Sequence, residues 1–392
     1  MITPRLQQLN DYPFQRLADL LGGVVPPDAV VMSIGEPQHV PPPMVASILA
    51  EQAASWGKYP SANGTPAFRR AVADWLTRRF GLPDEMIDPD RMILPVAGTR
   101  EALYMIAQAV RTERGGKAPA MLLPNPFYQV YAGAAAMAGA EPVFVPGADG
   151  VDSFPDFSAL PAEILDRTAL AYLCTPANPV GTVADIDLLV RAVATARRHG
   201  FLLAVDECYS EIWDRAAPAG ALSACARLDG ETDNVIVFHS LSKRSSVPGL
   251  RSGFVAGDPA IIAAFARLRA YGGAVTPLPI IAAATALWQD EAHVEENRAL
   301  YRAKFDIAER ILGDRFGFRR PEGTFFLWLD VGDGEAAALA LWREAKIRVI
   351  PGAYMARAGA DGINPGKRFI RAALVHGLAT TERVLTRFTE IL

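Results

Sequence analysis

Three short runs in the middle of the chain, Ala169–Cys174, Phe201–Val205 and the apolar part of Asn234–Phe238, are apolar at consecutive rather than alternate positions. A strand with one wet face alternates, so unbroken runs of this length predict strands covered on both faces, as in parallel sheets. Each run stops at a polar cluster: Thr175-Pro-Ala-Asn178-Pro179, Asp206-Glu207-Cys208-Tyr209, and His239-Ser240-Leu-Ser242-Lys243. Further strands are predicted at Met92–Val96, Ala120–Leu123, Pro142–Val145 and Gly253–Ala256, with helices from Gly98-Thr99 through Val110, over Val130–Ala138 and over Asp185–His199. The order strand, helix, strand from Met92 to Ala256 predicts an α/β fold with a mostly parallel central sheet between helical layers. Ligands of such sheets lie beyond the carboxyl ends of the strands, where the polar clusters stand.

The flanks are read as a second, smaller α/β unit. The 392 residues are enough for two domains. Before the sheet come a helix at Tyr12–Leu21, a brief strand at Val30–Ile34, a helix from Met44 to about Trp56 and a strong amphipathic helix over Pro66–Phe80. After it, Asp258 to Leu312 is helical. Strands then follow at Thr324–Asp330, Ile347–Ile350 and Arg368–Ala372, with helices at Glu335–Ala345 and from Thr380. The expected division is a large domain of residues 45–270 and a small one of residues 1–44 with 271–392. A net charge of −4 gives no footprint for nucleic acid or an anionic membrane. The cysteines Cys174, Cys208 and Cys225 lack metal-ligand spacing, so no metal is expected. They also point to a reducing compartment. With neither a signal-peptide pattern nor a 20-residue apolar span, the expected location is cytoplasmic.

The segment His239–Ser252 places Lys243 among Ser240, Ser242, Ser245 and Ser246, with Arg244 adjacent and Arg251 beyond. Hydroxyls and a guanidinium suit a phosphate gripped on several oxygens. An amine beside other cations and shielded from water has a lowered pKa and attacks aldehydes. Together they describe a Schiff-base lysine holding pyridoxal 5′-phosphate. Taken alone, the segment reads better as a solvated, Ser-rich loop with an incidental lysine; only partners elsewhere in the chain reverse that. A cofactor ring nitrogen that must stay protonated needs a buried carboxylate, for which Asp206 is placed. Asn178 and Tyr209 can donate to the ring oxygen, Tyr128 or its neighbour Phe127 can lie on the ring face, and Arg371 offers a fork for a substrate carboxylate. The strand, glycine turn and helix at Gly98-Thr99-Arg100 form a candidate anion site.

These residues, in this order, resemble the fold-type I, class I and II aminotransferases. The resemblance is carried by Gly35-Glu36-Pro37, Tyr59 with Gly64, Gly98-Thr99, Asn178-Pro179 with Gly181, Asp206-x-x-Tyr209, Ser240-x-Ser242-Lys243 with Arg251, and Arg371. It implies an aspartate aminotransferase-like fold with pyridoxal phosphate bound to Lys243. Asp206 would stand on the ring nitrogen, Asn178 and Tyr209 on the ring oxygen, and Tyr128 on the ring. Gly98, Thr99, Arg100, Ser240, Ser242 and Arg251 would hold the phosphate, joined by Tyr59 from the other subunit of a homodimer. Gly35, Asn178 and Arg371 would face the substrate, an amino acid or oxo acid. The family's usual Asn-Pro-x-Asn-Pro-Thr-Gly reads Thr175-Pro-Ala-Asn178-Pro-Val-Gly181, a departure that keeps Asn178.

Within the family, Tyr12-Pro13-Phe14, Gly35-Glu-Pro-Gln-His39 and Ser240 to Asp258 resemble the succinyldiaminopimelate aminotransferases, with Ser246 where those carry Asn. That likeness implies amino transfer between L-glutamate and N-succinyl-2-amino-6-oxopimelate in lysine biosynthesis. Alternatives are an aminotransferase of aspartate or aromatic amino acids, a carbon–sulfur β-lyase sharing the same cofactor residues, and a non-catalytic ligand-sensing domain. Only about 90 residues precede the Met92 strand, with no basic helix-turn-helix pattern, which disfavours the last. A nicotinamide enzyme is disfavoured because no G-x-G-x-x-G follows a strand. His39 is expected to be structural or substrate-facing, and Arg244 to touch either ligand or a surface acid.

Overall fold

The unbroken apolar runs become neighbouring strands in the computed structural model, which describes residues 3–9, 12–110 and 118–392. The strands are Val30–Val31 (β1), Ile93–Val96 (β2), Ala120–Asn125 (β3), Glu141–Pro146 (β4), Thr168–Cys174 (β5), Leu202–Asp206 (β6), Val235–Ser240 (β7), Gly253–Gly257 (β8), Phe326–Asp330 (β9), Ile347–Arg348 (β10), Ile350–Pro351 (β11) and Phe369–Ala373 (β12). Seven of them form one sheet in the order β2-β8-β7-β6-β5-β3-β4. All neighbours run parallel except β8, which is antiparallel to β7 and β2. Every residue of β5, β6, β7 and β8 is buried, as apolar runs without alternation require.

Register then brings the polar clusters together. Cys174 pairs with Asp206 and Asp206 with Phe238, so β5, β6 and β7 end level with one another. Their following turns carry Asn178, Tyr209 and Lys243. Because β8 runs the other way, it begins where β7 ends, with Ser240 opposite Gly253. Val96 pairs with the same glycine. Arg251, two residues before β8, is thereby set beside the Gly98-Thr99 turn that follows β2.

The flanking segments build a second layer over that edge. A three-stranded antiparallel sheet, β11-β12-β9, carries Arg371 in its middle strand, and β1 pairs in parallel with β10. The amino-terminal helix Pro13–Leu21 packs through Leu17 on Ile350, Tyr354 and Met355. Several boundaries differ from the sequence reading. The Met44–Trp56 helix ends at Glu51 and continues as a 3-10 turn, Ala53–Gly57. The helix after Gly98 ends at Met105 in the same way. Ile347–Ile350 is two short strands belonging to two sheets. A helix at Ala221–Leu228 went unread; its eight residues follow Pro218 and Gly220 and give too short a pattern to stand out. Trp75 and Trp288 pack edge to face with Phe254 in the core, whereas Trp56 is exposed.

One buried ion cluster holds the turn after β6. Glu211 is 3% exposed, with one carboxylate oxygen 2.6 Å from Arg79 of the helix Pro66–Phe80 and the other 3.1 Å from Arg298 of the helix Ala292–Leu312. The two arginines also bond the carbonyls of Ser210 and Glu211. Replacing Glu211 by Ala strands two dehydrated guanidinium groups, and the expected loss is about 3–5 kcal/mol in urea denaturation. Removing the solvent-facing Glu295, which also pairs Arg298, should cost under about 1 kcal/mol. Equal losses would mean the buried carboxylate is not the anchor.

Candidate active site

Above the level ends of β5, β6 and β7 lies a cavity of about 480 Å³. Its lining takes Asn178 from the turn after β5, Asp206 from β6 and Tyr209 from the turn that follows it, and Ser240, Ser242 and Lys243 from β7 and the short helix behind it. Thr99, Arg100, Tyr128 and Arg251 enter from the neighbouring turns, and Gly35 and Arg371 from the second layer. Besides Lys243, the lining thus holds eleven of the residues expected at the site.

 Those eleven, together with Lys243, all line the cavity of a single chain. Gly98 stands just outside it: at φ 93° a Cβ there would lie 2.0 Å from the Arg251 guanidinium, so glycine is what lets that side chain lie across the turn. Phe127 turns into the core against Phe144 and leaves the cavity face to Tyr128. Tyr59 is fully exposed and outside the cavity of its own chain.

The charges are arranged unusually. Asp206 is 3% exposed and accepts hydrogen bonds from the Tyr131 hydroxyl at 2.9 Å and the Cys208 amide at 3.3 Å. Burial raises its pKa above the ordinary carboxylate range, and no cation among the described residues pairs with it. Arg371 is equally buried. It donates to the Asn178 side-chain oxygen at 2.8 Å and the Ser33 carbonyl at 2.6 Å, lies 4.2 Å over the Phe326 ring, and leaves its Nε without a partner. Burial pulls it down to about 10, again with no carboxylate beside it among the described residues. A dehydrated anion and a dehydrated cation on one cavity, neither neutralised by the chain, fit a ligand that brings a protonated nitrogen to one and a carboxylate to the other.

Lys243 lies between them in function as in sequence. The strand read as ending at Phe238 runs on to Ser240, and Lys243 falls in the helical turn Leu241–Arg244 that follows, where its Nζ donates to the Gly35 carbonyl. Burial is the chief cause that brings this amine down to about 8, helped by Arg371 and Arg251 and opposed by Cys208 and Glu36. The Ser240 hydroxyl caps that turn by accepting from the Ser242 amide at 3.1 Å. Arg251 donates to the carbonyls of Pro248 and Ala97, which fixes its guanidinium beside Gly98. Hydroxyls, a fixed guanidinium and a close-approach glycine at one end, with a buried carboxylate and a depressed amine further in, fit the phosphate, ring nitrogen and aldehyde of pyridoxal phosphate.

Some residues were not foreseen. Tyr131 supports Asp206 and stacks on Tyr172 at 4.5 Å; its position one helical turn after Tyr128 was the available signal. His239 stands 3.0 Å from Glu207, both buried behind Asp206, and favours the Asp206 charge. Arg244 does not reach the cavity; it is buried on Glu291 and the Leu287 carbonyl, both at 2.6 Å. His39 is a structural histidine, bonded to Asn297 and Lys304.

Comparison with known proteins agrees with this geometry. The family model for aminotransferase class I and II matches residues 27–388. The chain is 34% identical to the 4-dedimethylamino-4-oxo-anhydrotetracycline transaminase of Streptomyces rimosus, over 91% of this chain and 92% of that one. It is 33% identical to the LL-diaminopimelate aminotransferase of Desulforudis audaxviator, over 89% and 88%. A crystal structure of an aminotransferase from Neisseria meningitidis superposes with a TM-score of 0.92 at 40% identity, covering 99% of each chain.

A lysine whose folded-state pKa lies below its unfolded value is buried with its charge at low pH, which costs stability, and the cost fades as pH rises from the folded to the unfolded pKa. For Lys243 that window runs from about 8 to the ordinary 10.5. Cofactor-free Lys243→Met protein is therefore expected to be more stable than the parent at pH 7, by about 1–3 kcal/mol. The difference should narrow above pH 10, as read from urea denaturation at the two pH values. A constant difference would place the amine in water.

Proposed function

The chain belongs to the class I and II aminotransferases, and from that membership we propose that it moves an amino group between L-glutamate and N-succinyl-2-amino-6-oxopimelate, with pyridoxal phosphate held on Lys243. The observation that carries the cofactor assignment is the pairing, in one cavity, of a buried carboxylate without a cation at Asp206 and a buried amine held down to about 8 at Lys243. Support for the acceptor is the likeness of the Ser240–Asp258 segment noted above and a relative that acts as an LL-diaminopimelate aminotransferase.

When bound, pyridoxal phosphate supplies a carbonyl carbon that joins to amines and a protonated ring that draws electron density away from the substrate Cα. The Asp206 carboxylate holds the proton on the ring nitrogen, and Tyr131 and the Cys208 amide hold Asp206 in place. Asn178, its oxygen committed to Arg371, keeps its amide hydrogens for the ring oxygen, with the Tyr209 hydroxyl beside it. Arg251, Ser240, Ser242, Thr99 and Arg100 take the phosphate. Three of the five N–H groups of Arg371 stay free of the chain's own acceptors, enough for a two-pronged grip on the α-carboxylate. Lys243 Nζ moves the substrate proton. At pH 7.5 an amine with a pKa of about 8 is about one quarter uncharged, against about 0.1% at the ordinary lysine value.

In this reading residues 45–270 hold the cofactor, while residues 1–44 and 271–392 supply Gly35 and Arg371 from the other side. The chain works as a homodimer in which Tyr59, exposed on its own chain, reaches the phosphate of the partner subunit. Among the described residues no helix is long and apolar enough to cross a membrane.

A half-reaction screen tests the assignment. Protein loaded with pyridoxal phosphate is aminated with L-glutamate, and the visible absorbance is followed as each oxo acid is added. N-succinyl-2-amino-6-oxopimelate is expected to restore the starting spectrum at least ten times faster than pyruvate or phenylpyruvate. No spectral change with glutamate would defeat transamination altogether, and faster recovery with the simple oxo acids would defeat only the acceptor. Arg371→Lys should lower kcat/KM for glutamate about 100-fold by losing the two-pronged grip.

A further inference from the structure

Away from the cavity, the buried side chains of Lys304 and Asn297 and the half-buried His39 between them are used by nothing described so far, and they end at the active lysine. Lys304, on the helix Ala292–Leu312, is 1% exposed. It donates to the Leu374 carbonyl just beyond β12 at 3.0 Å and meets His39 Nε2 at 2.6 Å. His39 Nδ1 lies 2.6 Å from the Asn297 side-chain oxygen. The Asn297 amide nitrogen donates to the main-chain carbonyls of Lys243 at 3.1 Å and Arg244 at 3.2 Å. The Ser246 hydroxyl donates to the His39 carbonyl at 3.1 Å, tying the same loop back to the histidine.

We propose that Lys304 and His39, acting through Asn297, are positioning residues for Lys243, and that the direction of their hydrogen bonds is fixed from the Lys243 end. This rests on the aminotransferase reading for its consequence but not for its geometry.

The direction follows from donor and acceptor counts. Two carbonyls face Asn297, so its NH2 must point at them and its oxygen at His39. An oxygen there requires the proton on His39 Nδ1. That leaves Nε2 as an acceptor, which requires a donor, and Lys304 is the group in reach. Reversing any one bond sets two acceptors or two donors face to face in a dehydrated site. The surroundings keep this order. Burial first, and the nearby Lys304 second, bring His39 down to about 4, so it stays neutral; burial brings Lys304 to about 7. The groups packed around them are Tyr301, whose ring lies 4.7 Å from Lys304 Nζ and 4.6 Å from His39, and His376, bonded to the Val31 carbonyl with Arg383 near it. Among the described residues no carboxylate pairs with Lys304. The run therefore links the end of β12, two residues beyond Arg371's neighbour Ala372, to the main chain of Lys243.

Nitrogen-15 spectra of histidine-labelled wild-type protein test the bond order directly. His39 should appear as the neutral Nδ1–H form from pH 6 to 8; an Nε2–H form, or a protonated ring, overturns the proposal. The consequence is tested in cofactor-loaded Lys304→Met, Asn297→Val and the double variant. Each single change is expected to lower kcat about tenfold with KM for glutamate within about twofold, and to move the pH midpoint of the cofactor's absorbance. Because the residues act as one run, the double variant should be no worse than the poorer single one. A product of the two losses, or lowered melting temperatures with an unmoved absorbance midpoint, means the residues are structural only. If Lys304→Met does not fold, Lys304→Gln, which keeps a donor, takes its place with a smaller expected loss. A wild-type protein whose spectrum ignores glutamate would sink the aminotransferase reading, while the histidine spectra would still decide the bond order.

Discussion

Dehydrating a carboxylate is costly, and the site is organised around doing so at Asp206. The residue sits at the last position of β6, flanked in register by Cys174 and Phe238, where a fully buried strand meets the cavity. Tyr131 and the Cys208 amide supply two hydrogen bonds, but neither is a charge. A buried carboxylate left in that condition binds a proton or a protonated ligand strongly. The sheet provides the burial, and the helix Gln129–Ala138 provides the hydroxyl that keeps the group aimed.

Arg371 is the counterpart on the other layer. Its strand, β12, pairs on both sides, so the backbone carrying it is fixed, and Phe326 from β9 supports the guanidinium. The Arg371–Asn178 bond joins the small sheet to the turn after β5. One side chain, Asn178, thus lines the cavity while bonded to Arg371 of the other layer, so a shift of either layer is felt by both. The Glu211 cluster joins the same two layers further back, through Arg79 and Arg298. These joints are polar, and their dehydration makes them specific in geometry.

Lys243 is held at two points. Its amine is bonded to the Gly35 carbonyl, and its main chain to Asn297. Burial keeps the amine ready to lose its proton, and the neighbouring arginines add to that effect. The same segment accommodates Ser246 and Arg251 at positive φ, values of 53° and 54° that bend the chain back towards β8. That bend lets Arg251 and the lysine, both lining the cavity, belong to one short loop.

Much of the fold was legible because unbroken apolar runs this short, bounded by turn residues, read as strands covered on both faces, and because their alternation with helices points to a mostly parallel sheet. The sequence by itself determined which residue types stand at the strand ends: Asn178, Asp206, Tyr209, Ser240, Lys243 and Arg251 are each adjacent in sequence to a readable strand. Beyond the one-turn spacing of Tyr131 from Tyr128, it could not reveal that Tyr131 bonds Asp206, nor the Glu207–His239 pair or the run from Lys304 to Lys243. Those join residues distant in the chain, and no local periodicity records which helix face meets which turn. Nor could it decide between Phe127 and Tyr128, or between ligand and surface acid for Arg244. Those choices depend on the register of strands and the packing of layers, which set the direction of each side chain only once the whole chain has folded.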